Sequence, residues 1–172
     1  MSEISDAIQA KCLAFGDRII KLNDYLLEQA SQKYDGGSKR YDVRKGKSAF
    51  SHQTSDLSQP SSFRHRTSRV PVHLQSVAAL ANQLLRSGTS IGANNAEATN
   101  AISKADFKSK SFIALKEARE SLYWIDLLHR NGYLDDKQYQ SIYADAEELV
   151  KILVTRCKKI NQETLSKEVE NE

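Results

Sequence analysis

The sequence has few residues that interrupt helices or cross-link chains. Its 172 residues include only two prolines, two cysteines and seven glycines, which favours long helices. Cys12 and Cys157 have no CxxC or Cys/His spacing, so we expect two buried thiols in a reducing compartment rather than disulfides or a metal site. No apolar run reaches the roughly 18 residues of a membrane span, and MSEISDAIQA is unlike a secretion signal. These absences predict a cytoplasmic protein that does not contact membranes.

Sequence motifs for catalysis and cofactor binding are also missing. The chain contains no GxGxxG, GxxxxGK[ST], HExxH or DxDxDG motif. It also lacks the Glu-x-x-His pairs that bind two irons in helical bundles. Only Asp126 and His129 have a spacing that suits a helical metal site, and we expect a surface hydrogen bond between them instead. The sequence therefore predicts no enzymatic activity, no metal and no cofactor.

Positive charge is concentrated in one segment, residues 33–70. This segment has nine basic and three acidic residues, whereas the rest of the chain has a net charge of −3. It contains eight serines, few aliphatic residues and no helical periodicity, as expected for a long loop. Its basic residues are Lys33, Lys39, Arg40, Arg44, Lys45, Lys47, Arg64, Arg66 and Arg69.

Two interpretations of this basic segment remain open. It is either a solvated insertion that the fold tolerates, or an arm that binds nucleic acid through phosphate contacts. In the second case its four aromatic residues are candidates for stacking on unpaired bases. These are Tyr34, Tyr41, Phe50 and Phe63. A smaller basic patch, Lys104, Lys108 and Lys110, is expected to be solvated surface.

Outside the basic segment, apolar residues recur at steps of three and four, which predicts four helices. We place them at about 3–33, 71–100, 104–131 and 136–162, with the basic insertion at about 34–70. The expected signals at their ends are a Gly36-Gly37 stop, Pro71 in a first turn, Ser103 and Asp135 as N-caps, and an Asn131-Gly132 stop. The predicted fold is all-α, an antiparallel up-down-up-down four-helix bundle that forms one domain over residues 1–172.

The predicted second helix contains an unusual run of small and polar residues, LLRSGTSIGANNAEA. Gly88 and Gly92 are four residues apart and predict a close crossing with another helix. The nearby amides and carboxylate are candidates for polar links between helices or between subunits. The predicted packing residues are Gly88, Ser90, Gly92, Asn94, Asn95 and Glu97.

The predicted third helix is apolar on more than one face. Five large residues lie outside its main apolar stripe, so this helix has either a wide core face or a surface for self-association. They are Phe112, Ile113, Tyr123, Trp124 and Leu127.

These segments resemble a known bacterial family of four-helix bundles. The similarity covers residues 71–160, and more loosely 14–27, and includes SKADFKSKSFIALKEARESLYWIDLL and NGYL. The run SIGAN with Glu97, followed by the LKEARE segment and Trp124, is the most specific part. The family includes proteins encoded in intervening sequences of large-subunit ribosomal RNA genes. It also resembles the accessory variability determinants of diversity-generating retroelements. Relatives usually have a short connection where this chain has its basic segment.

The resemblance implies a homopentameric barrel without enzymatic activity. For retroelement members it also implies binding to nucleic acid and to a reverse transcriptase. We therefore predict a non-catalytic oligomeric accessory protein that binds RNA or cDNA. The alternative is a structural protein–protein adaptor of the intervening-sequence type. The predicted phosphate-binding residues are Lys39, Arg40, Arg44, Lys45, Lys47, Arg64, Arg66 and Arg69.

Overall fold

The computed structural model describes residues 3–35 and 72–169, and within these ranges it contains four helices and no strand. The helices are α1 Glu3–Asp35, α2 Val72–Thr99, α3 Lys104–Arg130 and α4 Asp136–Val169. The expectation of an all-α fold with four helices is confirmed. The expected Gly36-Gly37 stop and Pro71 lie outside the described residues. None of the described helices combines the length and apolar character needed to span a bilayer.

The two short connections are set by local capping. Ser103 accepts a hydrogen bond from the Asp106 backbone N–H at 3.1 Å and begins α3. At the start of α4, Asp135 and Gln138 accept from each other's backbone N–H, which is a complete capping box. Gly132 has φ +72°, a conformation that side chains with a Cβ rarely adopt, and its N–H bonds the His129 carbonyl. These caps end α3 and begin α4 within a few residues, so the chain reverses direction between the two helices.

Successive helices pack antiparallel around one apolar core. Ser121 of α3 donates to Ser87 of α2 at 3.0 Å, and Cys157 of α4 lies 3.6 Å from the Ser111 carbonyl of α3. Lys11 of α1 pairs with Glu148 of α4 at 2.9 Å, so α1 and α4 are neighbours too. The largest fully buried side chains are Phe15, Ile19, Leu84, Ile91, Ile125, Leu128, Leu149 and Leu153.

Helices α1 and α2 cross closely at two glycines of α2. A Cβ built on Gly88 would lie 2.9 Å from Cγ1 of Ile19, and one built on Gly92 would lie 3.4 Å from Cβ of Cys12. Ile19 is completely buried. The absence of side chains at Gly88 and Gly92 therefore lets the two backbones approach closely.

Helix α4 is longer than its sequence predicts. It continues past the expected end at about residue 162 and ends at Val169. Antiparallel packing places Lys11 beside Glu148 and the Ser111 carbonyl beside Cys157. At this register the first residues of α1 and α3 lie beside about residues 156 and 164 of α4. The last turn of α4 therefore extends beyond the ends of its neighbours.

Candidate functional site

The eight predicted phosphate-binding residues, Lys39 to Arg69, lie outside the described residues. The helices that flank them are antiparallel, so Asp35 and Val72 lie at the same end of the bundle. The α3–α4 turn is at this end as well, because Tyr133 and Asp135 share a small cavity with Ala30 and Val77. The other end of the bundle holds the arrangement described next.

Three polar side chains from three helices meet inside the opposite end. Asn95 of α2 is completely buried, and its amide donates to Oε1 of Gln9 on α1 at 2.5 Å. Its carbonyl oxygen accepts from Nη1 of Arg156 on α4 at 2.6 Å. Gln9 also donates to the Gly92 carbonyl at 3.3 Å. We call Gln9, Asn95 and Arg156 the polar cluster; both polar atoms of the Asn95 side chain are satisfied within it.

Arg156 is a half-buried cation in this cluster. Its guanidinium carbon lies 5.9 Å from the centre of the Phe107 ring, within range of a cation–π contact. None of the described carboxylates forms an ion pair with it. Burial lowers the pKa of Arg156 from its usual value. Burial also raises the pKa of the Cys12 thiol to about 11, although the charge of Arg156 opposes that shift. Cys12 is therefore an inert buried thiol at neutral pH.

A large open groove adjoins the polar cluster at the surface of the bundle, and Arg156 lines it. It has a volume of about 1100 Å³ and is bounded by the start of α1, the α2–α3 connection, the start of α3 and the second half of α4. Its apolar lining includes Ile8, Ala98, Phe107 and Ile152. Ile102, at the rim, is 96% exposed, which is unusual for a large aliphatic side chain. We call this feature the end groove.

The end groove is cationic. Four basic side chains line it and no Asp or Glu does. Lys151 pairs with Glu147 one turn earlier on the same helix, at 2.8 Å. The other three, Lys104, Arg156 and Lys159, form no ion pair with any described carboxylate. An apolar floor with a basic rim suits a ligand or segment that has both apolar and acidic groups.

The predicted packing residues of α2 have different roles. Asn95 links three helices, but Asn94 donates only to the Ser90 carbonyl on its own helix, at 2.9 Å. Asn94 therefore makes no hydrogen bond to another described helix of the same copy, because its side chain points about 100° away from that of Asn95. A link through Asn94 between subunits stays a prediction. Glu97 forms an ion pair with Lys110 of α3, and its hydrogen bond raises the pKa of the Lys110 amine. This pair is at the surface.

The outer face of α3 carries the predicted self-association residues. Tyr123 is 55% exposed, and its ring meets Trp124 edge to face with centroids 4.9 Å apart. The Trp124 indole donates to Glu120 at 3.0 Å. Phe112, Ile113, Trp124 and Leu127 are half-buried. Phe112 and Trp124 pack against the apolar core, which fits a wide core face, whereas Tyr123 is the exposed residue of this set.

The predicted hydrogen bond between Asp126 and His129 is not present. His129 instead pairs with Asp136 at 2.8 Å, and its ring stacks on Tyr139 at 4.1 Å. Asp126 accepts from the Tyr139 hydroxyl at 2.8 Å, and this bond raises the Tyr139 pKa to about 12. The α3–α4 turn brings these partners together, which helical spacing alone does not reveal. Within residues 3–35 and 72–169, no group of three His, Cys, Asp or Glu side chains is placed to hold a metal.

Sequence analysis missed the end groove and Arg156. The groove is assembled from four separate parts of the chain, so no local spacing identifies it. Arg156 directly precedes Cys157, a core residue in the apolar stripe of α4. A basic residue next to a core stripe is common, and its pairing with a buried Asn on another helix is visible only in three dimensions.

Comparison with known proteins adds to these observations. The family model described as 23S rRNA-intervening sequence protein matches residues 66–155. The fold is similar to the crystal structure of a protein of unknown function from the S23 ribosomal protein family of Bacteroides thetaiotaomicron VPI-5482. That similarity has a TM-score of 0.62 at 32% identity, and covers 90% of this chain and 98% of the other. No match to a curated protein was found. The chain belongs to the 23S rRNA-intervening sequence protein family.

Proposed function

We propose that this protein is a non-catalytic, oligomeric accessory protein of the cytoplasm that binds RNA or cDNA through its basic segment. The observation that carries the proposal is the charge segregation: residues 33–70 have a net charge of +6, whereas the rest of the chain has −3. Clustered basic side chains bind phosphates and release counterions. Because such contacts carry little sequence information, we expect weak base preference.

Self-association would strengthen this binding. The resemblance stated above favours a homopentameric barrel, and the half-buried apolar face of α3 supports an assembly of some kind. Five copies of the basic segment would bring about +30 charges to one assembly, which increases avidity and salt dependence.

RNA titrations at several salt concentrations test the proposal. We expect binding of a structured RNA to weaken steeply with salt, and to be lost when the eight predicted phosphate-binding residues are changed to Gln. Eight phosphate contacts at about −0.7 each for single strands, or about −0.9 each for a duplex, would give a slope of log K against log salt of about −6 to −7. The matched control exchanges every Lys for Arg and every Arg for Lys at the same positions, which keeps the charge and should keep binding. Equal affinity for the Gln variant and the wild type would refute the proposal.

A narrower form of the proposal adds a reverse transcriptase as protein partner, as in diversity-generating retroelements. Its support is the resemblance of residues 71–160 to accessory variability determinants. Co-purification with a reverse transcriptase encoded near the gene tests it, with an unrelated reverse transcriptase as control. Capture of both enzymes equally, or of neither, would contradict this role.

The second candidate function is a protein–protein adaptor without a nucleic-acid role. The end groove favours it, because an apolar floor with a basic rim suits a protein segment better than a phosphate backbone. An adaptor would bind its partner equally well after the eight basic residues become Gln, which separates the two functions.

A further inference from the structure

We propose that the end groove binds the last turns of α4 from a second copy of this chain. The inference goes beyond nucleic-acid binding and does not depend on it, and it competes with the adaptor function for the same groove. It follows from the lining of the groove, the sequence of the α4 end and the direction in which that helix leaves its own bundle.

The charges of the two surfaces are complementary. The end groove has four basic residues and no acidic residue in its lining. The α4 end, residues 161–172, reads NQETLSKEVENE and has four Glu against one Lys. Opposite charges on two surfaces favour encounter and fix the orientation of the contact.

The apolar patterns correspond as well. Leu165 and Val169 are four residues apart in the sequence, a spacing at which two positions of a helix share a face. In the sequence, Glu168 follows Leu165 by three residues and Glu172 follows Val169 by three. A segment in which apolar and acidic residues alternate in this way matches an apolar floor with a basic rim.

The α4 end cannot reach its own groove while it remains helical. Lys159 lines the groove, and α4 continues without interruption from there to Val169. Ten further residues at 1.5 Å each carry the chain about 15 Å away from the groove along the helix axis. The matching occupant is therefore the same segment of another copy. Because this segment is already helical up to Val169, binding requires little ordering of its backbone.

A pair of charge-reversed surfaces tests the proposal. The groove variant is Lys104→Glu with Lys159→Glu, and the tail variant is Glu168→Lys with Glu170→Lys. Neither lysine forms an ion pair with a described carboxylate, and Glu at the start of α3 is favourable for the helix. The control reverses Lys21 and Lys137, which are exposed and lie toward the other end of the bundle. Far-UV circular dichroism verifies that every variant folds.

Light scattering after size exclusion, without nucleic acid and at low salt, gives the assembly constant. We expect the wild type and the control to associate with equal affinity. The groove and tail variants should each weaken association at least tenfold, and the combined variant should return to within about threefold of the wild type. A synthetic peptide of residues 161–172 should dissociate the wild-type assembly, while a scrambled peptide should not.

Three results would overturn the proposal: a wild type that stays monomeric, an assembly that both variants leave unchanged, or a combined variant that stays as weak as the single ones. An assembly insensitive to both variants would indicate that another face, such as the outer face of α3, joins the copies. Because RNA is absent, none of these results bears on the proposed binding by residues 33–70.

Discussion

Helix α1 contacts its two neighbours in opposite ways. Against α2 it packs closely, with the glycine backbone at Gly88 and Gly92 facing the side chains of Ile19 and Cys12. Against α4 it is joined at the surface by long charged side chains, Lys11 to Glu148 and Arg18 to Asp145. The first seam, α1–α2, is tight and largely buried, whereas the second, α1–α4, is looser and opens into the end groove. The bundle therefore concentrates its packing specificity on one side of α1 and leaves the other side accessible.

Loss of Asn95 should have the largest effect on the tight seam. Asn95→Leu leaves Gln9 without its donor and the half-buried Arg156 without its acceptor. We expect the free energy of unfolding in urea to fall by about 3 kcal/mol. Asn94→Leu is the matched control, since Asn94 bonds only its own helix, and should change stability by less than about 1 kcal/mol. Equal losses would mean that the polar cluster does not hold the three helices together.

Alkaline pH should weaken the same seam through Cys12. The folded chain keeps this thiol protonated up to a pKa of about 11, whereas the unfolded chain ionises near 9.0. The folded state therefore keeps its full stability below pH 9, and the free energy of unfolding falls as the pH rises from 9 to 11. We expect up to about 3 kcal/mol of extra loss over this range in the wild type compared with Cys12→Ala. If the stability of the two proteins depends on pH in the same way, burial does not raise the pKa of the Cys12 thiol.

Two glycines provide a direct comparison of tight and open positions. Gly88→Ala places a Cβ 2.9 Å from the buried Ile19, and overpacking should cost about 1–2 kcal/mol after the gain in helix propensity. Gly16→Ala meets no atom within 4 Å and should stabilise α1 by about 0.5–1 kcal/mol. Thermal or urea unfolding gives both values. If Gly88→Ala is also stabilising, the α1–α2 crossing is looser than its geometry indicates.

The smallest change in stability is expected at the looser α1–α4 seam. Arg18→Ala removes the ion pair with Asp145 and the hydrogen bond to the Ser141 hydroxyl, all partly exposed. We expect a loss of about 0.5 kcal/mol that diminishes in 1 M salt, because surface ion pairs are weak and screened. Lys21→Ala, at an exposed position of the same helix, is the control. A salt-independent loss above about 2 kcal/mol would place Arg18 among the main contacts of the bundle.

Local features of the sequence predicted the helices well. The caps at Ser103 and Asp135 form as their spacing indicates, and Gly132 adopts the positive φ expected of a helix stop. Apolar periodicity identifies Cys12 and Cys157 as buried residues. These features depend on neighbours within four residues, which a sequence displays directly.

Features that need two or more helices were predicted only in part: the crossing at Gly88 and Gly92 was expected, but its partner helix was not. Two adjacent asparagines look alike in sequence, yet Asn95 joins three helices while Asn94 bonds only its own. His129 pairs across the α3–α4 turn with Asp136 rather than with Asp126. In each case the partner is selected by how the helices are rotated and offset against each other, and helical spacing alone does not give that information.

The sequence by itself determined an all-α chain, the approximate limits of its helices, a close helix crossing at Gly88 and Gly92 and the segregation of positive charge into residues 33–70. Each of these depends on composition or on short-range periodicity. Only the tertiary structure decided that Arg156 meets Asn95, that an apolar floor lies beneath a basic rim, and that α4 extends past its neighbours. These arise because four separate segments converge at one end of the bundle, where antiparallel packing sets the distances between residues far apart in the chain.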